Sequence, residues 1–192
     1  MEINGDFPYD CIEYTKDELE EMQNEGTHQY IGQYLTSQLK GDSNFCYKDI
    51  ENKCKNKNAW AMYGSNNEEK WICLEVGSSK DIIKELKYDL DCMVEKSISN
   101  KEISSYYHES IYERNQDYIL TDAIHQKYQL IRDNFEYIRI YTINNDTMIN
   151  DSEKYRLNDY QIAEVHYAKM TKALLWNPFG KQYKILAHIK ND

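Results

Sequence analysis

Three carboxylates that lie close together in the sequence could hold a cation or act as a base. Glu75 lies near the end of an apolar run, and Asp81 and Glu85 follow it four residues apart, which places them on one face of a helix. One carboxylate with bound waters and a substrate phosphate is enough to hold Mg²⁺. The structural alternative is that Asp81 caps its helix and that Glu85 is solvated beside Lys84. Both interpretations remain open at this stage.

A strand, turn, strand and helix unit must position these carboxylates. Residues 59–64 and 70–77 are short runs of aromatic and aliphatic residues joined by a polar linker, which is typical of a β-hairpin. The next four residues, 78–81, read as a helix N-cap followed by an acidic residue. Apolar residues then recur at helical spacing, at Ile82, Leu86, Leu90 and Met93.

This unit resembles the start of the GIY-YIG nuclease domain. Ala61-Met62-Tyr63 stands where the family has its first motif, and Glu75-Val76-Gly77 stands where it has its second. The later stretch EVHYAKMTKALLWNPFG is similar to the family's late helix, which carries a metal-binding glutamate and ends near an asparagine. The resemblance covers residues 58–180. It implies that Glu164 holds Mg²⁺ or Mn²⁺, that Tyr63 helps to activate water and that Asn177 supports the site.

The chain departs from the family pattern at two positions. Glu75 stands in place of the second tyrosine, and Glu85 stands in place of an arginine on the first helix. An arginine there would stabilise the charge that builds on the phosphate, whereas a carboxylate repels it. Lys84 is a poor substitute because neighbours on a helix point about 100° apart. Glu75 is a candidate replacement base or metal ligand, and the resemblance implies a retained fold with impaired cleavage.

The net charge opposes binding of the whole chain to nucleic acid. The 192 residues carry a formal charge of −10, and a nucleic-acid-binding surface is normally basic. Residues 160–192 are the exception, with five basic and two acidic side chains. A local basic surface is therefore still possible, beside the simpler interpretation of a solvated acidic surface.

Cysteine usage and hydropathy predict a cytoplasmic protein. The five cysteines are widely spaced and include no CxxC pair, which favours reduced thiols over disulfides or a zinc cluster. The sequence contains no signal peptide and no apolar run of membrane-spanning length, so we expect no membrane association.

The N-terminal part is predicted to be helical. Residues 15–18 form a capping box, and apolar residues at helical spacing extend this helix, or a helix pair, to about Leu39. The triplet Tyr30-Ile31-Gly32 spells the family's second motif, but it lies in this helical pattern and lacks a preceding first motif. We therefore do not expect it to form the site.

The predicted fold is a small α+β domain with a three-stranded antiparallel or mixed sheet flanked by helices. Residues 1–57 form an N-terminal helical extension, and residues 58–180 form a GIY-YIG-like core with a helical insertion. The third strand is predicted at residues 135–143 and a final helix from Asn158 to Leu175 or Trp176. Residues 181–192 form a tail or an added edge strand.

Three functions are compatible with these features. The leading hypothesis is a GIY-YIG-like protein with an altered site, which acts by binding in nucleic-acid metabolism or in conflict between mobile elements and hosts. The second is an active, variant endonuclease that depends on Mg²⁺ or Mn²⁺. The third is an acidic inhibitor that mimics DNA and binds a basic nucleic-acid-binding protein.

Overall fold

The computed structural model describes residues 11–39, 44–93, 119–144 and 156–176. The elements in chain order are β1 (Glu13–Thr15), α1 (Lys16–Asn24), β2 (His28–Leu35), α2 (Thr36–Leu39), α3 (Asn44–Lys53), β3 (Ala59–Ser65), β4 (Lys70–Ser78), α4 (Ile82–Met93), α5 (Ile119–Asn134), β5 (Tyr137–Ile143) and α6 (Asp159–Thr171). The strands form one antiparallel sheet in the order β1-β4-β3-β5-β2. The expected α+β class, with a sheet flanked by helices, is therefore confirmed.

The expected count of three strands is wrong, because the described part of the chain contributes five. The two additional strands, β1 and β2, lie within residues 1–57, and β2 replaces part of the helix predicted from Thr15 to about Leu39. The capping box is confirmed, since the Thr15 and Glu18 side chains each bond the other's backbone N–H, but α1 ends at Asn24. A β-bulge at Ile31 breaks the alternation of β2. The bulge gives β2 the apolar spacing of a helix, which explains the wrong prediction.

The two faces of the sheet pack against different helices. Helices α3, α4 and α5 cover one face, and α1 and α6 cover the other. The strand residues that face α4 and α5 include Trp60, Met62, Ile72, Leu74, Ile138 and Ile140. Those that face α6 include Ala61, Tyr63, Trp71, Cys73, Val76 and Tyr141. Each face thus has its own apolar core.

A second bulge, in β4, decides where the carboxylate of Glu75 points. Met62 pairs with Glu75 and Tyr63 pairs with Cys73, so Leu74 is the extra residue. Directly opposed residues in an antiparallel pair share a face. Glu75 therefore faces α4 and α5 together with Met62, whereas Tyr63 faces α6. The bulge separates two side chains that the family resemblance placed in one site.

The corner between β4 and α4 is tightly packed. A Cβ atom on Gly77 would lie 2.6 Å from the Trp60 indole, so only glycine fits at this position without a shift of the ring. Asp81 then accepts a hydrogen bond from the Lys84 backbone N–H at 3.1 Å, as an N-cap does. The structural alternative for Asp81, helix capping, is the one observed.

Helix α6 ends earlier than predicted, and the residues after it cross the edge of β4. Lys172 adopts a left-handed conformation with φ 49°, which stops the helix at Thr171. Leu174 and Leu175 then donate backbone hydrogen bonds to the carbonyls of Cys73 (2.9 Å) and Leu74 (2.7 Å). We call residues 173–176 the strap. Asn177 and the predicted edge strand at residues 181–192 lie outside the described residues.

The outer edge of β2 is occupied by a side chain. Lys53, at the end of α3, reaches over the bulge and donates a hydrogen bond to the Ile31 carbonyl. Its ammonium group also lies 5.4 Å from the centroid of the Tyr30 ring. α3 is thereby tied to the sheet at its edge.

The remaining global features concern thiols and membrane spans. All five cysteines are free, and four of them are buried. Within the described ranges, no helix combines the length and the apolar character that crossing a membrane requires.

Candidate functional site

The Tyr63 hydroxyl belongs to a buried hydrogen-bonded chain of three side chains. It lies 2.8 Å from the Tyr167 hydroxyl, which lies 2.5 Å from Nδ1 of His28, and Nε2 of His28 lies 2.8 Å from the Leu19 carbonyl oxygen. Tyr63 and Tyr167 have no exposed surface. We refer to Tyr63, Tyr167 and His28 as the relay.

The direction of every hydrogen bond in the relay follows from the bond between His28, its last member, and the Leu19 carbonyl oxygen. A carbonyl oxygen can only accept, so Nε2 of His28 carries the hydrogen. Burial lowers the pKa of His28 to about 4, so the ring is neutral and Nδ1 accepts from Tyr167. The Tyr167 oxygen then accepts from Tyr63. Burial also raises the pKa of Tyr63 well above its usual value, so this tyrosine is poorly suited to act as a base.

The relay makes a prediction about acid stability. The unfolded chain protonates His28 near pH 6.5, but the folded protein does so only near pH 4. The stability that neutral His28 provides is complete above pH 6.5 and is lost as the pH falls to 4, by about 3 kcal/mol. We expect the difference in unfolding free energy between the native protein and His28→Gln, from urea titrations, to shrink by that amount across this window.

A direct readout accompanies this comparison. The NMR titration of the His28 ring should have its midpoint near pH 4. A midpoint near 6.5 would mean that the ring is not buried as described. The difference between the two proteins isolates His28, because the carboxylates described below titrate in both.

Glu164, the expected metal ligand, has both carboxylate oxygens engaged by protein donors. The Ser78 hydroxyl donates to Oε2 at 2.5 Å, and the indole N–H of Trp176 donates to Oε1 at 2.9 Å. Only 5% of Glu164 is exposed, and the strap delivers Trp176 to it. No group of three or more histidine, cysteine or acidic side chains among the described residues is arranged to hold a metal ion. A Mg²⁺ or Mn²⁺ ion at Glu164 would therefore compete with these two donors for the carboxylate oxygens.

Glu75 is buried on the opposite face of the sheet and has a cationic partner. Its Oε2 lies 2.9 Å from Nζ of Lys127 on α5, without hydrogen-bond alignment, and 6% of the residue is exposed. Burial raises the pKa of Glu75 to about 7. The Lys127 charge lowers this pKa, and the charges of Glu164 and Glu85 raise it. Glu75 is thus a buried carboxylate whose charge Lys127 stabilises.

Two further carboxylates on α4 surround the same lysine. Burial raises the pKa of half-buried Glu85 to about 7 and that of fully buried Asp89 well above its usual value, and Lys127 lowers both. The Trp60 indole lies 3.4 Å from Oε1 of Glu85. Glu75, Glu85 and Asp89 together form what we call the carboxylate cluster, with Lys127 as its cation.

The structure brings some of the predicted residues together and separates others. Glu75 and Glu85 are on the α4 and α5 face, Tyr63 and Glu164 are on the α6 face, and Glu164 influences the two other glutamates across the edge of β4. Four residues of the relay and the carboxylate cluster were not predicted: His28, Tyr167, Lys127 and Asp89. Asp89 follows Glu85 at the four-residue spacing that joins Asp81 to Glu85, and this spacing could have identified it.

Comparison with known proteins identifies no similar protein. Neither the protein-family models, nor the curated proteins, nor the solved structures include a match to this chain.

Proposed function

We propose that this chain is a GIY-YIG-like protein whose nuclease site has become a closed structural site, and that it acts in nucleic-acid metabolism or in conflict between mobile elements and hosts by binding rather than cutting. The observation that carries this proposal is the carboxylate of Glu164. Ser78 and Trp176 occupy its two oxygens, and the strap closes over it. An ion and a substrate phosphate would have to displace these donors.

The order of the elements supports the relationship to that family. The hairpin β3–β4, the glycine corner at Gly77 and helix α4 follow one another as the resemblance implies. Helix α6 brings Glu164 to Ser78, the residue directly after that corner. Central strand β3 carries Tyr63 at the position of the first motif.

The local charge supports the loss of cleavage. Phosphodiester hydrolysis builds negative charge on the phosphate, which cations and hydrogen-bond donors must stabilise. Glu85 holds the position at which the family has an arginine, and Glu75 and Asp89 lie around the same lysine. Tyr63 donates its only hydroxyl hydrogen to Tyr167. These groups have structural partners and offer a phosphate no positive charge beyond Lys127.

A paired assay tests the proposal. Purified protein is incubated with labelled DNA and RNA, with Mg²⁺, Mn²⁺ or chelator, and both cleavage and gel shift are scored for the native protein, Glu164→Ala and Glu164→Gln. We expect no metal-dependent cleavage in any of the three and a gel shift that weakens with salt. Cleavage that Glu164→Ala abolishes would identify the chain as an active variant nuclease and overturn the proposal.

The exposed face of α1 favours a second candidate, an acidic inhibitor of a basic nucleic-acid-binding protein. Four of its nine residues are acidic side chains exposed to solvent, Asp17, Glu18, Glu20 and Glu21, and Lys16 is its one basic residue. Such a surface repels nucleic acid and favours a basic partner. Absence of a gel shift, together with salt-sensitive capture of a basic DNA-binding protein that is lost in Glu20→Lys/Glu21→Lys, would support this function over the first.

A further inference from the structure

Arg139 is a buried cation that pairs with no carboxylate among the described residues. Only 6% of the residue is exposed, and none of the ion pairs among the described residues includes it. Burying a charge without a counterion is costly, so buried cations are normally paired. This guanidinium therefore differs from Lys127, which has three carboxylates around it.

The guanidinium is held in one orientation by neutral groups. Its Nε donates to the Gln33 side-chain oxygen at 2.6 Å, and its Cζ lies over the Trp71 ring, 4.5 Å from the ring centroid. Gln33 is fixed in turn, because its amide nitrogen donates to Glu68 at 2.5 Å. Stacking on an aromatic ring leaves the donors in the guanidinium plane free to point outward.

One edge of this guanidinium is available for a ligand. Nη1 has a single long contact of 3.4 Å with the Tyr141 hydroxyl. Nη2 donates to no acceptor among the described residues. Two parallel N–H donors on one edge match the two oxygens of a carboxylate or a phosphate.

A second cation favours a dianion over a carboxylate. The Tyr30 ring lies beside both Arg139, at 5.6 Å, and exposed Lys53, at 5.4 Å. Two positive charges near the same ring raise the local positive potential, which favours a doubly charged anion over a singly charged one. The described acidic side chains that act on this region are Glu68, which is bonded to Gln33, Glu20, which acts on Tyr141, and Asp49, which acts on Tyr30.

We propose that Arg139, with Lys53 and Tyr30 beside it, is a binding site for a phosphate monoester. The phosphate can come from a small phosphorylated molecule or from the terminal phosphate of a nucleic-acid strand. The site lies on β5 and does not involve Glu164, so it stands whether or not the chain cleaves nucleic acid. If the phosphate site is disproved, the proposed function is not affected.

Calorimetric titration of the full chain with inorganic phosphate at pH 8 and low ionic strength tests the site. We expect binding by the native protein that weakens at least about tenfold in Arg139→Gln. Lys48→Gln is the matched control, since it removes one exposed positive charge from α3 that is not part of the proposed site, and it should bind like the native protein. Absence of phosphate binding by the native protein, or equal binding by Arg139→Gln, would overturn the proposal.

Two further arms cover unfolding and the source of the phosphate. If Arg139→Gln does not fold, phosphate binding is measured for Arg139→Lys and Lys53→Gln instead. Arg139→Lys removes the paired guanidinium donors, and Lys53→Gln removes the second cation. Unchanged phosphate binding in both would overturn the proposal. If an oligonucleotide with a 5′-phosphate binds more tightly than its 5′-hydroxyl form, the phosphate that the site recognises is the end of a nucleic-acid strand. If the two oligonucleotides bind equally while inorganic phosphate binds measurably, the ligand is a small phosphorylated molecule.

Discussion

Replacing Lys127 by methionine should lower the free energy of unfolding by about 3–5 kcal/mol at pH 8. Nζ of Lys127 is the cation paired with buried Glu75, and its charge also lowers the pKa of Glu85 and of Asp89. Without it, buried carboxylates face one another uncompensated. Urea unfolding followed by circular dichroism measures the change.

The loss should depend on pH in a defined direction. Because burial raises the pKa of Glu75 and of Glu85 to about 7, the folded protein binds more protons than the unfolded chain between pH 4.5 and 7. Stability from this cluster therefore falls as the pH rises through that window. At pH 5 the carboxyl groups are mostly protonated, and the loss in Lys127→Met should shrink to about 1 kcal/mol.

A double variant separates charge from packing in this prediction. Lys127→Met combined with Glu75→Gln removes the buried cation and the carboxylate paired with it. At pH 8 it should recover a large part of the stability that the single variant loses. Equal losses in the single and double variants, or a single-variant loss independent of pH, would show that the carboxylate cluster does not depend on Lys127.

Replacing Tyr167 by phenylalanine should cost about 2–4 kcal/mol of unfolding free energy, because its hydroxyl is the middle member of the relay. Its removal leaves the Tyr63 hydroxyl without its acceptor and His28 Nδ1 without its donor, both in a buried environment. Tyr63→Phe removes only the terminal donor of the relay and should cost about 1 kcal/mol. Chemical denaturation of both variants at pH 7.5 measures the two costs.

Tyr160→Phe is the matched control for this comparison. It removes a hydroxyl from the same helix, where that hydroxyl accepts one exposed bond from Asn158 at 2.9 Å. Its cost should stay below about 1 kcal/mol. A Tyr167→Phe cost no greater than that of Tyr63→Phe would contradict the direction assigned to the relay.

The hairpin and its following helix could be predicted from sequence because their signals are local. Strand alternation and the polar turn each lie within a few residues and appear as predicted in β3 and β4, and Asp81 caps α4, which was one of the two interpretations of that residue. The capping box at Thr15 is equally local. Elements whose own residues determine them were therefore predicted correctly.

The failures come from backbone irregularities and long-range partners. The bulge at Ile31 hid β2, and the bulge at Leu74 turned Glu75 to the face opposite Tyr63. Nothing local to Tyr63 reveals that it meets Tyr167 and, through it, His28, since these residues lie far apart in the sequence. The same holds for the contact between Glu75 and Lys127.

The lysine at the outer edge of β2 bears on how this protein can associate with others. An exposed strand edge is a template for strand addition from another chain, which leads to domain swapping or aggregation. Here Lys53 donates a hydrogen bond to the Ile31 carbonyl at a bulge, so an incoming strand would meet both a charge and a kinked backbone. Partners are therefore expected to recognise this region through side chains rather than by extending the sheet, and Lys53→Ala should make the chain more prone to self-association.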